Sequence, residues 1–224
     1  MNSGNSQSTL PTLELERVVR AETSLRYIAG LDEAGRGALA GPVVAAAVIL
    51  PLDAPHRLQH LHEVNDSKQL TPKQRERLYE LIVEHALCWG VGSTPAEDID
   101  RLGIIPANAK AMEAALRQLS PSAEFLLIDG RMRLRNVPLP QQSIIRGDTL
   151  SMSIAAASIL AKVSRDRHMV ALEKTYPQYG FGRHKGYCTR QHVAAIGRHG
   201  PCPAIHRYSF APIRPPLPQA NRAT

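Results

Sequence analysis

Four carboxylate residues lie at or near the predicted ends of strands: Asp32, Glu33, Asp129 and Asp148. Clustered carboxylates repel one another unless a cation compensates them, and oxygen ligands of this kind suit Mg²⁺ or Mn²⁺. Such ions activate water and stabilise a leaving oxygen when a phosphodiester is cleaved. Any one of these acids alone is typical of an ordinary strand end or loop, so their spacing leaves open whether the four converge.

A glycine-flanked arginine, Gly35-Arg36-Gly37, follows the first two acids. The glycines would let backbone amides approach a ligand closely while the arginine side chain reaches a phosphate. The same three residues are also typical of a tight hairpin turn with a solvated arginine. The motif therefore indicates anion binding without excluding a purely structural turn.

Several isolated side chains are weaker candidates. Lys68, Lys185 and Arg207 suit phosphate contacts by their charge, although a lone basic residue in a loop is usually just solvated. Tyr187 follows a glycine and is typical of a core or rim position. Asp166, between two arginines, is expected to form an ion pair on a helix face and is not assigned to the metal site.

A dense group of histidines and cysteines near the C-terminus suggests zinc at first sight. Its members are His184, Cys188, His192, His199 and Cys202. Their spacing matches no standard zinc pattern, and we expect the intervening glycines and helix to scatter them. Phosphate contacts or plain surface positions are the favoured interpretation.

Hydrophobic patterning predicts the elements that must position these residues. Strands are predicted at 27–31, 43–50, 88–93, 125–128 and 142–145. Helices are predicted after residue 71, after residue 94, at 105–119, at 152–174 and from residue 189. Strands followed by helices in this order favour an α/β domain with a mixed sheet.

Two helix starts carry explicit capping signals. Thr71 is followed by proline and then by Gln74, which predicts a capping box. Thr94 and Glu97 repeat that pattern. The alanine-rich stretch at 152–174 is expected to let its helix approach the sheet closely.

Composition places the chain among globular proteins with a polyanionic partner. It has 224 residues, a formal net charge of +7 and 43% hydrophobic residues, and a basic balance fits nucleic acid or an anionic membrane surface. Three cysteines, odd in number and widely spaced, argue against a disulfide framework. The N-terminal residues lack the segments of a secretory signal, and the longest apolar run is too short to span a bilayer. We therefore expect a cytoplasmic protein with no membrane partner.

A long segment around the first acids resembles a known family. Residues 27–50, YIAGLDEAGRGALAGPVVAAAVIL, are similar to the opening signature of ribonuclease HII, the type 2 ribonuclease H family. Further segments resemble the same family in the same order: NDSKQLTPKQRERLYELI, EFLLIDG, IIRGDTLSMSIAAASILAKVSRDR and YPQYGFGRHKGY. The resemblance runs from about residue 27 to residue 210, and several long motifs in order are far more specific than one short pattern.

The resemblance implies a ribonuclease-H-like fold: a mixed five-stranded sheet flanked by helices, with a C-terminal helical extension. It implies a metal-dependent endoribonuclease that hydrolyses the RNA strand of RNA–DNA hybrids. It further implies cleavage on the 5′ side of single ribonucleotides in duplex DNA, as in ribonucleotide excision repair, which leaves 3′-hydroxyl and 5′-phosphate ends. The implied cofactor is Mn²⁺ or Mg²⁺, and we expect a monomer.

The family's acidic residues fall on the four carboxylates of this chain. The resemblance implies metal binding by Asp32, Glu33 and Asp129, with Asp148 as the fourth catalytic carboxylate. Binding of metal by Asp148 only transiently, or through water, stays open.

The family's substrate-binding residues also have counterparts here. The resemblance implies that Gly35, Arg36 and Gly37 sense the ribose 2′-hydroxyl, largely through backbone groups. This agrees with the local chemistry, because that hydroxyl distinguishes RNA from DNA. Tyr187 would stack on the deoxyribose that follows the ribonucleotide. In addition, Ser67 and Lys68 resemble a loop that contacts phosphate.

Composition predicts tails at both ends: a flexible N-terminal tail at 1–25, in which LELERVVRAE could form a marginal helix, and a proline-rich tail at 213–224. The resemblance implies a catalytic domain at 26–175 and a helical substrate-binding extension at 176–212. Such a short N-terminal segment disfavours the related ribonuclease HIII. One departure is Ala38, where the family commonly has proline, and we expect no change in the chemistry from it.

Two other functions stay open. One is a non-catalytic nucleic-acid-binding protein on the same fold, and the other is a different nuclease, such as a resolvase or transposase core. Intact acids at all four positions argue against a pure binder. The glycine-flanked arginine and Tyr187 argue against the second, because they imply discrimination of the 2′-hydroxyl.

Overall fold

The sheet confirms the predicted architecture. The structure is a computed structural model that describes residues 10–213, and its five strands are ordered β3-β2-β1-β4-β5. Pairs β1–β2 and β2–β3 are antiparallel, whereas β1–β4 and β4–β5 are parallel. The strands are β1 (Ile28–Ala34), β2 (Val43–Ile49), β3 (Cys88–Thr94), β4 (Phe125–Asp129) and β5 (Gln141–Ile144).

Strand β1 is longer than the apolar pattern predicted. Its pairing with β2 continues to Ala34, whereas its pairing with β4 stops at Leu31. Asp32 and Glu33 therefore lie inside the strand and not at its end. Beyond Leu31 the strand has a neighbour on one side only, so its other side is open towards the end of β4.

Helices cover both faces of the sheet. They are α1 (Glu14–Thr23), α2 (Pro55–Leu58), α3 (Pro72–His85), α4 (Ala96–Leu102), α5 (Ile104–Leu116), α6 (Met152–Thr175), α7 (Phe181–His184) and α8 (Arg190–His199). Leu31 and Ala47 pack in the core shared with α5. Ala46 and Val48, of opposite orientation, pack in the core shared with α3 and α6. Because both faces are covered, every residue of β2 is buried.

The alanine-rich helix α6 approaches the sheet closely, as predicted. Ala155, Ala156 and Ala157 are completely buried. A Cβ atom on Gly30 of β1 would stand 2.2 Å from the backbone carbon of Ser153. The absence of side-chain bulk on both sides therefore brings the two backbones together.

One of the two predicted capping signals is confirmed. Thr71 and Gln74 form a reciprocal capping box at the start of α3. The prediction for Thr94 is wrong: its hydroxyl donates to the carbonyl of Ala107 at 2.9 Å, and α4 begins without a side-chain cap. Burial of Thr94 at the end of β3 turns the hydroxyl towards α5.

Residues 10–25, where the sequence predicts a tail with a marginal helix, are ordered against the body of the protein. Helix α1 occupies most of them, and Glu16 on its inner face is only 1% exposed. Glu16 Oε1 accepts hydrogen bonds from the Ser151 hydroxyl, the Ser153 hydroxyl and the Ser153 backbone amide. The amide of Thr12 donates to the carbonyl of Leu150, beside these contacts. Tertiary partners more than a hundred residues away thus stabilise a helix whose own sequence is marginal.

Residues after α6 form a small helical unit against it. Tyr179, Phe181 and Ala195 pack on Met169 of α6 and on Ala40. Helix α8 begins where the sequence predicts a helix, and the Thr189 hydroxyl caps it by accepting from the His192 amide. The proposed boundaries of the catalytic domain and its extension remain predictions. The predicted tails at 1–9 and 214–224 lie outside the residues that the structure describes.

Candidate active site

Three of the four predicted acids meet at one edge of the sheet. One carboxylate oxygen each from Asp32, Asp129 and Asp148 lies within 4.8 Å of the other two. Asp32 lies in β1, and Asp129 ends the neighbouring parallel strand β4. Asp148 lies in a short 3₁₀ turn, Gly147–Thr149, after β5. The Gly147 amide donates to Asp129 Oδ1 at 2.7 Å and so joins this turn to β4.

Glu33 lies on the other face of β1, because successive side chains of a strand point to opposite faces. The Asn108 amide nitrogen on α5 donates to Glu33 Oε2 at 3.0 Å. The Arg36 guanidinium is 3.7 Å from Glu33 Oε1. Glu33 is therefore a neighbour of the three-aspartate group without being part of it.

The charges at this edge are poorly compensated. Burial raises the pKa of Asp32 well above its ordinary value, and the charges of Glu33 and Asp129 raise it further. Burial, followed by the charge of Asp148, raises the pKa of Asp129. Burial also raises the pKa of Glu33, although the hydrogen bond from Asn108 opposes that shift. Three converging oxygen donors with mutual repulsion fit a divalent cation that prefers oxygen ligands.

Lys68 is the cation closest to these acids in the described structure. Its Nζ lies 2.7 Å from Asp148 Oδ2 and 3.7 Å from Asp66 Oδ1. Burial alone would lower the pKa of Lys68, but the hydrogen bond and charge of Asp148 outweigh it and raise that pKa. The Asp66 carboxylate accepts a hydrogen bond from the Lys68 amide, and the Ser67 amide donates to the Ser158 hydroxyl on α6. The loop therefore holds Lys68 beside the acids while 74% of its side chain stays exposed.

The glycine-flanked arginine forms the turn immediately after β1. Gly35 has a φ of +86°, and a Cβ on it would stand 1.8 Å from Nε of Arg165. Gly37 has open space in the same position. Gly35 is thus required by the backbone and by packing, whereas Gly37 leaves the surface of the turn accessible.

Two buried guanidiniums hold this turn to the C-terminal unit. Arg165 is completely buried and donates to the carbonyls of Ala40, Pro42 and Lys185. Arg207, also completely buried, donates to the carbonyls of Gly41 and Arg36. The segment 36–42, which follows Asp32 and Glu33, is therefore held by hydrogen bonds from two residues distant in sequence, Arg165 and Arg207.

Tyr187 belongs to the same assembly. The carbonyl of the preceding residue, Gly186, accepts a hydrogen bond from the Leu39 amide at 2.8 Å. The Tyr187 ring centroid is 5.2 Å from the Arg165 guanidinium carbon. The turn that carries Tyr187 and the turn that carries Arg36 thus share backbone contacts and one guanidinium.

Comparison with known proteins decides the family. The family model described as Ribonuclease HII matches residues 29–213. A ribonuclease HII of Roseiflexus castenholzii is 52% identical over 203 residues, which are 91% of this chain and 89% of that protein. A ribonuclease HII of Geobacillus thermodenitrificans is 55% identical over 209 residues, which cover 90% and 77% of the two chains. The chain belongs to the ribonuclease HII family.

Solved structures agree with this assignment. Ribonuclease H2 of Pyrococcus horikoshii matches with a TM-score of 0.71 and 26% identity, over 84% of this chain and 96% of that one. A ribonuclease HIII solved with Mn²⁺ matches with a TM-score of 0.61 and 19% identity, over 84% and 68% of the chains. The second likeness supports the ribonuclease-H-like fold alone.

Membership of the ribonuclease HII family establishes the class of activity. The protein is a metal-dependent endoribonuclease that acts on RNA–DNA hybrids. The three-aspartate edge is the group of His, Cys, Asp or Glu side chains within residues 10–213 that has the geometry to hold a metal ion. No helix of the described part is long and apolar enough to cross a membrane.

The expected scattering of the C-terminal histidines is wrong for two of them. His184 and His192 stack with ring centroids 4.3 Å apart, and His192 Nε2 lies 3.1 Å from His206 Nε2. All three are buried, and burial lowers the pKa of His192 to about 4. These rings form a neutral, hydrogen-bonded core of the C-terminal unit, so they are neither phosphate contacts nor surface residues.

Three other residues singled out in the sequence make contacts within the protein. Arg207 is completely buried, which excludes it as a surface phosphate contact. Asp166 forms the predicted helix-face ion pair, 2.7 Å from Lys162. Lys185 is half-buried, and its ammonium donates to the carbonyl of Gly182.

Sequence reasoning missed Asn108 and Arg165. Asn108 is a polar residue among the buried positions of α5, which otherwise carry alanine and methionine. A polar side chain at an apolar position of a helix is the signal that could have identified it. The burial of Arg165 has no such signal, because Arg165 lies in a charged stretch of the sequence with Asp166 and Arg167.

Proposed function

We propose that this enzyme cuts on the 5′ side of single ribonucleotides in duplex DNA, as well as within RNA–DNA hybrids. The products would carry 3′-hydroxyl and 5′-phosphate ends. The supporting observation is that the Arg36 turn directly follows β1, the strand that carries Asp32 of the three-aspartate group, while Leu39 after that turn donates to the carbonyl of Gly186 beside Tyr187. The residues proposed for cleavage therefore lie next to the residues proposed for recognition of the ribose.

The acids are assigned by position and charge. Asp32 and Asp129, whose oxygens converge with that of Asp148, would hold Mg²⁺ or Mn²⁺, with Asp148 as the fourth catalytic carboxylate. Glu33, whose charge acts on Asp32 from the adjacent position, would turn from Asn108 to join them as a metal ligand. A bound ion of this kind would activate water and stabilise the departing 3′ oxygen. In the described structure, Asn108 orients Glu33 through its amide nitrogen. The ion pair with Lys68, at 2.7 Å, keeps the Asp148 carboxylate in place.

The substrate contacts are assigned to the exposed parts of the two turns and of the Lys68 loop. Lys68 would contact a phosphate beside the acids, and Ser67 would contribute from the same loop. Gly35, Arg36 and Gly37 would read the 2′-hydroxyl through backbone groups, since the open space at Gly37 lets a ribose approach. Tyr187 would stack on the next deoxyribose, with its ring placed by Arg165.

The deciding assay compares three labelled duplexes: all-DNA, DNA with one ribonucleotide, and an RNA–DNA hybrid. Each is incubated with Mg²⁺ and separately with Mn²⁺, and the products are sized and their ends identified. We expect a cut 5′ of the single ribonucleotide and none in all-DNA. Folded protein that leaves the single-ribonucleotide duplex intact in both metals would overturn the proposed selectivity.

Variants test the assigned residues. Asp129→Asn removes one oxygen charge with little change of shape, so we expect a folded protein with at least about 100-fold lower kcat/KM. Asp53→Asn is the matched control, because Asp53 is 61% exposed and its salt bridges within the described structure are to Arg20 and Arg26. Full activity of Asp129→Asn would remove Asp129 from the site.

We also propose that the enzyme acts as a monomer in the cytoplasm. A ribonuclease HII of Archaeoglobus fulgidus was solved in a complex with PCNA. It is 26% identical to this chain with a TM-score of 0.67, and the match covers 83% of this chain and 95% of that one. Light scattering of the purified enzyme would test the oligomeric state. Fractionation of the cells would test the location.

A further inference from the structure

Three arginines follow the active site without acidic partners. Arg131, Arg133 and Arg135 lie in the loop directly after Asp129, and all three are exposed. Within residues 10–213, none of them lies within 4.0 Å of a carboxylate. We call these three residues the arginine strip. Its charge is available for a ligand outside the chain.

The loop that carries the strip is fixed to the protein body. Leu134 is completely buried, and its amide and carbonyl both bond to the Gln141 side chain, at 2.7 and 3.0 Å. The carbonyl of Met132 accepts a hydrogen bond from the Ser143 hydroxyl. Met132 and Leu134 therefore alternate with the three exposed arginines, and the hydrogen bonds of Met132 and Leu134 fix the position of the loop. An ordered loop loses less conformational entropy when its side chains bind a ligand.

The strip lines a cleft that adjoins the active site. A cavity of about 630 Å³ lies between this loop and the first turns of α5. Arg36 lines the same cavity, and its guanidinium is 3.7 Å from Glu33. Glu113 is the one acidic residue of that lining. Four guanidiniums against one carboxylate make the cleft strongly positive.

We propose that the arginine strip binds the sugar–phosphate backbone of the substrate duplex next to the cleavage position. This inference rests on the proposed function, and it adds a contact surface that the assigned turns do not include. From Arg131 to Arg135 an extended chain reaches at most about 14 Å. Phosphates of one strand are about 3.4 Å apart along the helix axis, so a strip laid parallel to that axis would cover the rise of at most about four nucleotides. Guanidinium forks suit phosphate oxygens.

The test measures binding of an RNA–DNA hybrid as a function of salt, with full-length protein and chelator present to prevent cleavage. The variant carries Arg131→Gln, Arg133→Gln and Arg135→Gln. Each lost phosphate contact reduces the slope of log K against log[salt] by about 0.9. We therefore expect the magnitude of the slope to fall by roughly 2 to 2.7. Because the three residues are exposed, the melting temperature should stay within about 2 °C of wild type.

Two further variants separate contact from general charge. Arg17→Gln, Arg20→Gln and Arg26→Gln together remove the same charge from α1 and the segment before β1, and none of these three residues lines the cleft. This triple variant should change the slope by less than about 0.5. Lysine at all three strip positions keeps the charge and should keep most of the slope. Equal slopes for the glutamine strip variant and the triple glutamine control outside the cleft would overturn the inference.

The remaining outcomes are also decisive. If wild type neither binds nor cleaves the hybrid, both the proposed function and the strip fail. If wild type binds and cleaves normally while the glutamine strip variant matches it, the strip alone fails. Unchanged hybrid binding with lost affinity for an acidic peptide would replace the nucleic-acid assignment by a protein partner.

Discussion

Replacing Glu16 by alanine tests whether helix α1 supports the Asp148 turn. The Glu16 carboxyl accepts from the Ser151 hydroxyl at 2.6 Å, the Ser153 hydroxyl at 2.6 Å and the Ser153 amide at 2.9 Å. Ser151 follows Asp148 by three residues and caps α6. Truncation therefore leaves buried donors without their acceptor, close to a proposed catalytic acid.

The magnitude follows from the donors that cannot find another partner. The two serine hydroxyls lie 3.1 Å apart, so one can turn to the other. The Ser153 amide and one hydroxyl remain, and each unsatisfied buried donor costs roughly 1–3 kcal/mol. We expect the free energy of unfolding to fall by about 3 kcal/mol, which lowers the melting temperature by roughly 6–12 °C for a chain of this size.

The assay pairs thermal or denaturant unfolding with cleavage kinetics at 25 °C, where the variant is still folded. We expect kcat to fall by about tenfold, equivalent to about 1.4 kcal/mol, with little change in KM. Glu14→Ala is the control, because Glu14 lies in the first turn of the same helix and is exposed. A loss of stability below about 1 kcal/mol, or one equal to the Glu14→Ala effect, would refute the reasoning.

Three further changes test the electrostatics and the turn. Asp32→Asn should raise the melting temperature of the metal-free enzyme, because burial raises the folded pKa of this carboxyl above 3.8 and its ionisation therefore opposes folding. That penalty accumulates as pH rises through the folded pKa, so a pH series of melting curves should show the gain at about pH 8 and none near pH 4. Gly35→Ala should lower the melting temperature by at least about 4 °C, since φ is +86° and the new Cβ would meet a buried guanidinium at 1.8 Å. Gly37→Ala, with open space, should melt within about 2 °C of wild type and yet lose cleavage of a single ribonucleotide, measured by gel assay. Lys68→Met should lower kcat/KM by about tenfold and move the acidic limb of the pH–rate profile upward, because the Lys68 charge lowers the pKa of Asp32 and pairs with Asp148.

Several results would contradict these expectations. An Asp32→Asn protein that Mg²⁺ stabilises as strongly as wild type would show that the ion binds elsewhere. Equal stability of Gly35→Ala and Gly37→Ala would show that the turn tolerates a side chain at both positions. An unchanged acidic limb in Lys68→Met would show that the Lys68 charge does not act on the aspartates.

Local patterns in the sequence predicted the elements well. The apolar runs located all five strands, and the threonine–glutamine pair at Thr71 located the start of α3. These signals act over a few residues, because alternating or continuous apolar residues indicate a strand and a capping residue indicates the start of a helix. The end of β1 was misplaced because pairing with β2, a tertiary contact, carries the strand past Asp32.

The site was predictable in its residue types and less so in its geometry. Adjacent positions in an extended strand already imply that Asp32 and Glu33 face opposite ways, but that implication needed the strand to extend through both. The partners of Glu16 and Arg207 lie 135 and 171 residues away along the chain. No local pattern indicates such contacts, which is why the sequence predicts a tail around the buried Glu16 and a surface charge at the buried Arg207.

The position of Arg207 has a consequence for the order in which the enzyme matures during translation. Asp32, Glu33 and the turn that contains Arg36 are translated early, but Arg207, which donates to the carbonyls of Arg36 and Gly41, is translated near the end. A nascent chain that ends before Arg207 would hold all four acids while the turn proposed to read the ribose lacked these hydrogen bonds. Under that proposal, discrimination between RNA and DNA would be completed after the acids are in place, as the last property that the growing chain acquires.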